Sequence, residues 1–570
     1  MLPDATTGSR AAWHGATRGR LPALAAATVI LLAARPPTAA AQALFVDVTH
    51  DAGFDYTHGI ELPPVPETPD QFYTLQYKIM SGGVAAGDFD GDGWVDLYVV
   101  RGSAGPNLLF RNLGNGRFEE VARNAGVAFS GDFNGPVFAD YDGDGHVDLF
   151  IGGVAGTGAV LARNLGNGHF EIATDQSGIR IDRNTFSSSF GDYDRDGDLD
   201  LFTAHWDVQV AAPASQHLWR NAGDGSFEDV SLAAGFADLI EWPGIPQPRG
   251  DVFTFGGIFS DIDDDRWPDL LVAGDFKTSH ILVNQRDGSF ADESVPTLLT
   301  EENAMGVAAA DYDNDGDIDW FVTSVFHGDE APYNPTRYRF GYTGNRLYRN
   351  EGHGAFADVT DAAGVRNGRW GWGACFADFN NDGHADLFHV NGMGDPESDW
   401  WREEFSWFLD DPSRLFMANG DGTFTERAAA HGIADNGQGR GVVCFDYDRD
   451  GDIDIFIANN GQSPNLYRNT LIESASKTAN YLTVRLRART PNRQGIGARI
   501  TVRTGGTTQM REIRAGTNYL SQDPAEAHFG LAAIETIDEI RVDWPGVESK
   551  PTAIKDVAVN QVLIVPRRPE

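Results

Sequence analysis

The sequence predicts an all-β protein, a seven-bladed β-propeller followed by a small β-sandwich. Three observations predict it. An Asp-rich loop recurs seven times, each copy sits in a unit of four short strand-like segments, and the strand missing from the last unit has a match near the N-terminus.

The loop has the pattern Asp-x-Asp-x-Asp-Gly-x-x-Asp. Its acidic positions are Asp88, Asp90, Asp92 and Asp96 in the first copy, Asp140, Asp142, Asp144 and Asp148 in the second, and Asp192, Asp194, Asp196 and Asp200 in the third. Asp261, Asp263, Asp265 and Asp269 follow, then Asp311, Asp313, Asp315 and Asp319. The sixth copy has Asp378, Asn380, Asp382 and Asp386, and the seventh Asp446, Asp448, Asp450 and Asp454. Two copies deviate: Arg266 replaces the Gly of the fourth, and Asn380 the second Asp of the sixth.

Each loop is preceded by a small or apolar stretch such as Gly83-Val-Ala-Ala-Gly87. It is followed by an apolar run such as Leu149-Phe-Ile151. A segment like Leu108-Leu-Phe-Arg-Asn112 comes next, then a Gly-rich turn and Gly-x-Phe. Asn115-Gly116, Asn167-Gly168 and Asp224-Gly225 supply the positive φ of tight hairpins. The seventh unit stops at Asn469 without its Gly-x-Phe strand. Phe45-Val-Asp-Val-Thr-His-Asp-Ala-Gly53 matches Phe356-Ala-Asp-Val-Thr-Asp-Ala-Ala-Gly364 and is expected to complete it, which removes an open sheet edge. The propeller thus spans 44–470, with strand 45–49 closing the last blade.

Carboxylates at positions 1, 3, 5 and 9, a carbonyl at 7 and a sharp turn at 6 suit Ca²⁺, a hard cation that takes six to eight oxygens. The seven loops hold 27 carboxylates, and packing them without a cation is unfavourable. Up to seven structural Ca²⁺ are expected, with the fourth and sixth sites the weakest. The spacing opens like an EF-hand loop but lacks the bidentate Glu at position 12 and is flanked by strands.

Formal net charge is −39, from 83 Asp and Glu against 44 Lys and Arg. Such a surface repels phosphate backbones, so nucleic acid is not an expected partner. Residues 1–43 read as an export signal: Arg10, Arg18 and Arg20 precede an apolar run, Leu21–Ala34, then small residues. No later segment is apolar enough to span a membrane, so a secreted, periplasmic or cell-surface location is expected. The two cysteines, Cys375 and Cys444, lie at offsets of different parity from their Asp loops. On a strand these offsets point to opposite faces, which leaves two buried thiols or a disulfide open.

Strand order puts the Asp loops and Gly turns on one face. The long insertions, 54–80, 205–217, 236–255, 327–345 and 391–414, fall on the other. They carry Trp206, Trp242, Trp370, Trp372, Trp400, Trp401 and Trp407, with Tyr333, Tyr338 and Tyr342. Aromatics on loops held by a rigid scaffold suit a glycan or an extracellular protein partner. Equally, these loops could pack on one another and cap the channel. A polysaccharide lyase or hydrolase is the secondary reading. It would need His205, Asp207, His327, Asp329, Glu330, His389 and Asp395 to converge, and no catalytic residue is assigned.

After a linker at 471–479, residues 480–566 alternate as short strands, for example Tyr481-Leu-Thr-Val-Arg-Leu486 and Ile540-Arg-Val-Asp-Trp544. The Asp-loop units resemble FG-GAP/VCBS repeats. The C-terminal segment resembles the ASPIC/UnbV domain through Gly495-Ile-Gly-Ala-Arg499, Tyr519-Leu-Ser-Gln522, His528-Phe-Gly-Leu531, Val542-Asp-Trp-Pro-Gly546 and Asn560-Gln561. Together they are similar to the cartilage acidic protein 1 family, including its bacterial-type members. The resemblance implies an extracellular, calcium-binding protein in which the loops stabilise the blades and act in binding or adhesion.

Overall fold

The computed structural model describes residues 44–60, 69–207, 216–236, 252–327, 343–393, 408–473, 479–489, 491–546 and 550–567. Residues 43–570 form one compact unit. The expected signal at 1–43 lies outside the described residues.

Strand pairing yields seven four-stranded antiparallel units. Their first strands are Val84–Gly87, Phe133–Ala139, Thr185–Gly191, Val252–Ser260, Val307–Ala310, Gly371–Ala377 and Gly439–Phe445. Each first strand packs on the next, and Gly439–Phe445 returns to Val84–Gly87, so the ring closes. The small residues before the Asp loops are explained by this crowding. A Cβ on Gly87 would meet the Phe138 ring of the next blade at 2.9 Å, and one on Gly191 the Phe259 ring at 2.7 Å. The N-terminal strand completes the last blade in the expected register: Phe45 pairs with Asn469, Val46 with Arg468 and Asp47 with Tyr467.

Beyond Asn480, Asn480–Arg487 lies between Glu526–Ala532 and Gln561–Pro566 in one sheet. Thr507–Glu512, Arg499–Thr504, Thr536–Asp543 and Thr552–Ala558 form a second. Alternation along the strands buries Leu482, Val484, Ile500, Val502, Ile540 and Val542 in a core continuous with Val137, Phe190 and Trp219 of the propeller.

This domain is keyed into the ring by Arg514–Asp523, which reaches every blade. Ser521–Gln522 pairs in parallel with Val84–Ala85. The Gln522 amide bonds both backbone groups of Phe138. Ser187 Oγ accepts from Leu520 N, and Arg514 donates to the Ala309 carbonyl at 2.7 Å. The Asn518 amide donates to the Val442 carbonyl, and Asp523 accepts from Cys444 N. Tyr519 packs against Phe255 and Trp372. From the other side the helix Pro69–Ile79 buries Leu75, Tyr77 and Ile79 in the same hub. The two plugs meet where Tyr519 donates to the Met80 carbonyl at 2.6 Å.

Cys375 and Cys444 form a disulfide across blades six and seven, with Cα atoms 6.5 Å apart. Their unequal offsets place them on opposite faces of equivalent strands. Two blades stacked face to face need that arrangement for their side chains to meet.

Candidate metal centres

Each Asp loop is first a hydrogen-bonded turn. The carboxylate at position 1 accepts the N–H at position 6, as Asp88 does from Gly93 and Asp446 from Gly451, both at 3.0 Å. Position 5 accepts the N–H of position 7 in all seven copies. Position 6 is left-handed throughout, which is why it is Gly in six copies. Arg266 takes the same conformation, with φ 72°, and its N–H still reaches Asp261 at 3.1 Å. Asn380 also keeps the turn, its Oδ1 accepting the Asp382 N–H at 3.1 Å. Both deviant loops therefore retain the scaffold of the others.

Position 9 does something the spacing alone did not reveal. Asp96, Asp148, Asp200, Asp269, Asp319, Asp386 and Asp454 are all buried. One oxygen accepts the position-2 N–H of its own loop at 3.0–3.1 Å. The other accepts the last N–H of the third strand at 2.7–2.8 Å. That third strand ends in Asn in six blades. Its side chain donates to the position-2 carbonyl of the preceding blade's loop: Asn112 to Tyr447, Asn164 to Phe89, Asn221 to Tyr141, Asn284 to Tyr193, Asn350 to Ile262 and Asn469 to Phe379. The repeated Arg-Asn at the third strand's end was the sequence signal for this latch.

The remaining carboxylate oxygens converge. Ligand atoms of Asp88, Asp90 and Asp96, and of Asp140, Asp142 and Asp148, lie within 4.8 Å of one another. So do those of Asp192, Asp194 and Asp196, of Asp261, Asp263 and Asp265, and of Asp311, Asp313 and Asp315. Several are buried with no hydrogen-bond partner: Oδ1 of Asp88, Asp140, Asp311, Asp313, Asp446 and Asp448. An unpaired buried carboxylate oxygen is costly unless a cation meets it. Burial first, and neighbouring carboxylates after it, push Asp140 and Asp378 up to about 7. Burial lifts Asp269 to about 8 and Asp319 to about 9. The outer edge is capped by third-strand arginines: Arg111 meets Asp90 at 2.7 Å and Asp92 at 3.2 Å, and Arg163 meets Asp142 and Asp144. The inner edge faces the C-terminal domain, where Arg485 meets Asp88 Oδ2 at 2.8 Å. The donor set is all oxygen, densely anionic and partly unpaired. Residues at positions 1, 3, 5 and 9 therefore fit a hard divalent cation.

The opposite face corrects part of the ligand expectation. Trp206 and Trp372 are 5% and 1% exposed and belong to the hub. Trp206 packs on Tyr77, Phe253 and Phe255. Trp372 donates to the Gly392 carbonyl and lies under the Arg440 guanidinium at 4.3 Å. Trp370, partly buried, stacks on Trp372. These three close the channel instead of forming an open shelf. Trp242, Trp400, Trp401 and Trp407, the three tyrosines, and Asp329, Glu330 and Asp395 lie outside the described residues. His205 is buried in blade three against His217 at 2.7 Å, and Asp207 holds Asn184 in the same blade. His389 is buried in blade six and meets Asn345 at 3.2 Å. Among the described residues, His205 and Asp207 thus serve blade three and His389 serves blade six, each with its own partners.

The FG-GAP-like repeat description matches residues 88–151, 140–203, 261–322, 338–389 and 398–470, and the ASPIC and UnbV description matches 488–569. The chain is 24% identical over 517 residues to cartilage acidic protein 1 of Mus musculus, covering 84% of this chain and 73% of the relative. It is 24% identical over 515 residues to the Homo sapiens protein, covering 84% and 71%. Among solved structures, the exotype rhamnogalacturonan lyase YesX aligns at 13% identity and TM-score 0.34, covering 73% of this chain and 76% of that one. A Niastella koreensis GH74 enzyme aligns at 12% and 0.39, covering 85% and 68%. Likenesses at these scores say nothing about activity. The repeats and the C-terminal segment together establish that this chain belongs to the FG-GAP-like repeat family and ends in an ASPIC and UnbV domain.

Proposed function

We propose that the chain is an exported binding module whose propeller is stabilised by calcium at the seven Asp loops, and that it binds a glycan or an extracellular protein. The observation that carries the metal reading is the set of buried, unpartnered carboxylate oxygens at position 1 of loops one, two, five and seven. Ca²⁺ supplies the charge they lack and tolerates the unequal ligand sets of the seven loops. The role is structural: the ion holds each loop, and the loop presents the position-2 carbonyl that latches the next blade. The C-terminal domain is built onto the Asp-loop side, and we assign the partner to the insertion-bearing side.

Differential scanning calorimetry with Ca²⁺ and with excess chelator tests the metal reading. Chelation is expected to lower Tm by well over ten degrees, and an unchanged Tm would refute it. A glycan array probed with the calcium-loaded protein and with its Trp400→Ala/Trp401→Ala variant tests the binding reading. Retained binding in the variant would move the site elsewhere.

A further inference from the structure

Loop four keeps an arginine where its six sisters keep glycine. Arg266 sits at φ 72°, a conformation strained for any side chain and free for Gly. A strained residue retained against an easy alternative points to a use for its side chain. In the neighbouring loop three, position 4, which is left-handed in every loop and Gly only in loops one and two, holds a second left-handed arginine, Arg195 at φ 58°. Both arginines open onto one cleft of about 210 Å³ between blades three and four and the turn Trp544-Pro545-Gly546 of the C-terminal domain.

The charges of this cleft are unevenly matched. Arg499 is taken by Asp264 and Glu512, Arg514 by Glu512 at 2.7 Å, and Arg541 by both oxygens of Asp543 at 2.7 and 2.8 Å. Among the described residues, Arg266 forms an ion pair only with Asp543, at 3.7 Å, a carboxylate already engaged by Arg541. Arg195 lies over the Trp267 ring at 5.2 Å and donates to the Gly546 carbonyl, while its buried Nε has no partner. Among the described residues, two guanidiniums on adjacent loops thus lack a carboxylate of their own. The apolar wall comes from Phe190, Phe259, Ile496 and Pro545.

We propose that this cleft binds a sugar-sized ligand carrying one oxyanion, a carboxylate or a sulfate ester, held by Arg195 and Arg266. Planar guanidinium forks match both groups, and the volume lies below the usual range for larger ligands, which limits the body to about one ring. The site is separate from the insertion-bearing side and borders the cation sites of loops three and four, whose Asp192 and Asp261 also line the cleft.

Titration calorimetry on the calcium-loaded full chain, with D-galacturonate, galactose 6-sulfate, galactose and inorganic sulfate as probes, tests it. Galacturonate or galactose 6-sulfate is expected to bind at least tenfold more tightly than galactose or sulfate alone, and the stronger of the two identifies the anion. Arg266→Gly restores the residue of all six sister loops, and Arg195→Gly that of loops one and two. Each variant is expected to weaken binding at least tenfold with Tm equal to or above the parent. Failure of both acidic sugars to bind, sulfate binding as tightly as either, or unchanged affinity in both variants would overturn the proposal.

Discussion

Two neighbouring seams of the ring are built differently. Between blades six and seven, the Cys375–Cys444 disulfide and the Asn469 latch to the Phe379 carbonyl both cross. Between blades five and six neither is present, because Ala418 stands where every other blade ends its third strand in Asn. A hydrogen bond from Asn314 to the Gly383 carbonyl does cross there, and Asn381 makes the matching contact to Gly451 at the next seam. The position-9 bond also survives, with Asp386 accepting from Ala418 N at 2.7 Å. Blade six therefore keeps the internal staple and loses the Asn latch to its neighbour. Cohesion within a blade and cohesion between blades are separate devices, carried by different atoms of one short motif.

Chelation should break the comparison most strongly, because it acts on the loops that brace every seam. Hydrogen exchange in excess chelator is expected to rise first in blades five and six, and uniform loosening around the ring would show that the latch does not rank the seams. The same state should depend on pH. Folded-state pKa values raised to about 8 at Asp269 and about 9 at Asp319 mean that the native chain holds protons the unfolded chain has released. Such stability is full below the unfolded value and is lost as pH rises through the folded one. The chelated protein should therefore lose Tm progressively from about pH 4 to about pH 9, while the calcium-loaded protein stays nearly flat.

Cys375→Ser should cost about 4 kcal/mol by chain entropy, since the bridge closes a 69-residue separation. Urea unfolding under non-reducing conditions measures it, and the loss should bring the six–seven seam level with its neighbour. Asn469→Ala removes two buried donor contacts, to Phe379 and Ile453, and should cost about 2 kcal/mol in the same assay. Ala418→Asn should add the missing latch to the Tyr312 carbonyl and stabilise by about 1 kcal/mol. A neutral result would show that the five–six seam cannot accept the bond.

Blades, loops and the closing strand were readable from the repeat because each is set by local spacing: Gly or a substitute at position 6, alternation in the strands, Asn-Gly at the turns. The burial of Trp206 and Trp372 was not, since an aromatic on an insertion looks the same whether it faces solvent or fills a hub. The hub is filled by partners far away in sequence: Tyr519 bonds Met80 across 439 positions. The cysteine parity was visible but left pairing open, because only the face-to-face stacking of two blades turns opposite faces into a contact. Of the Asp loops, the clustering was visible and the hydrogen-bonding role of position 9 was not, because a hydrogen-bond acceptor and a candidate metal ligand share one residue type.

The hub also sets an order of events for the growing chain. Its filling comes from residues near 75–80 and 514–523, and its last blade joins residues 45–47 to 465–469. The blade cannot be completed before residue 469 is made, nor the hub before residue 519, so the ring cannot mature from one end to the other as it emerges. Contacts this distant in sequence slow folding. They also act as a test of completeness: a chain cut before residue 514 would keep its repeats yet leave Phe255 and Trp372 without their Tyr519 cover.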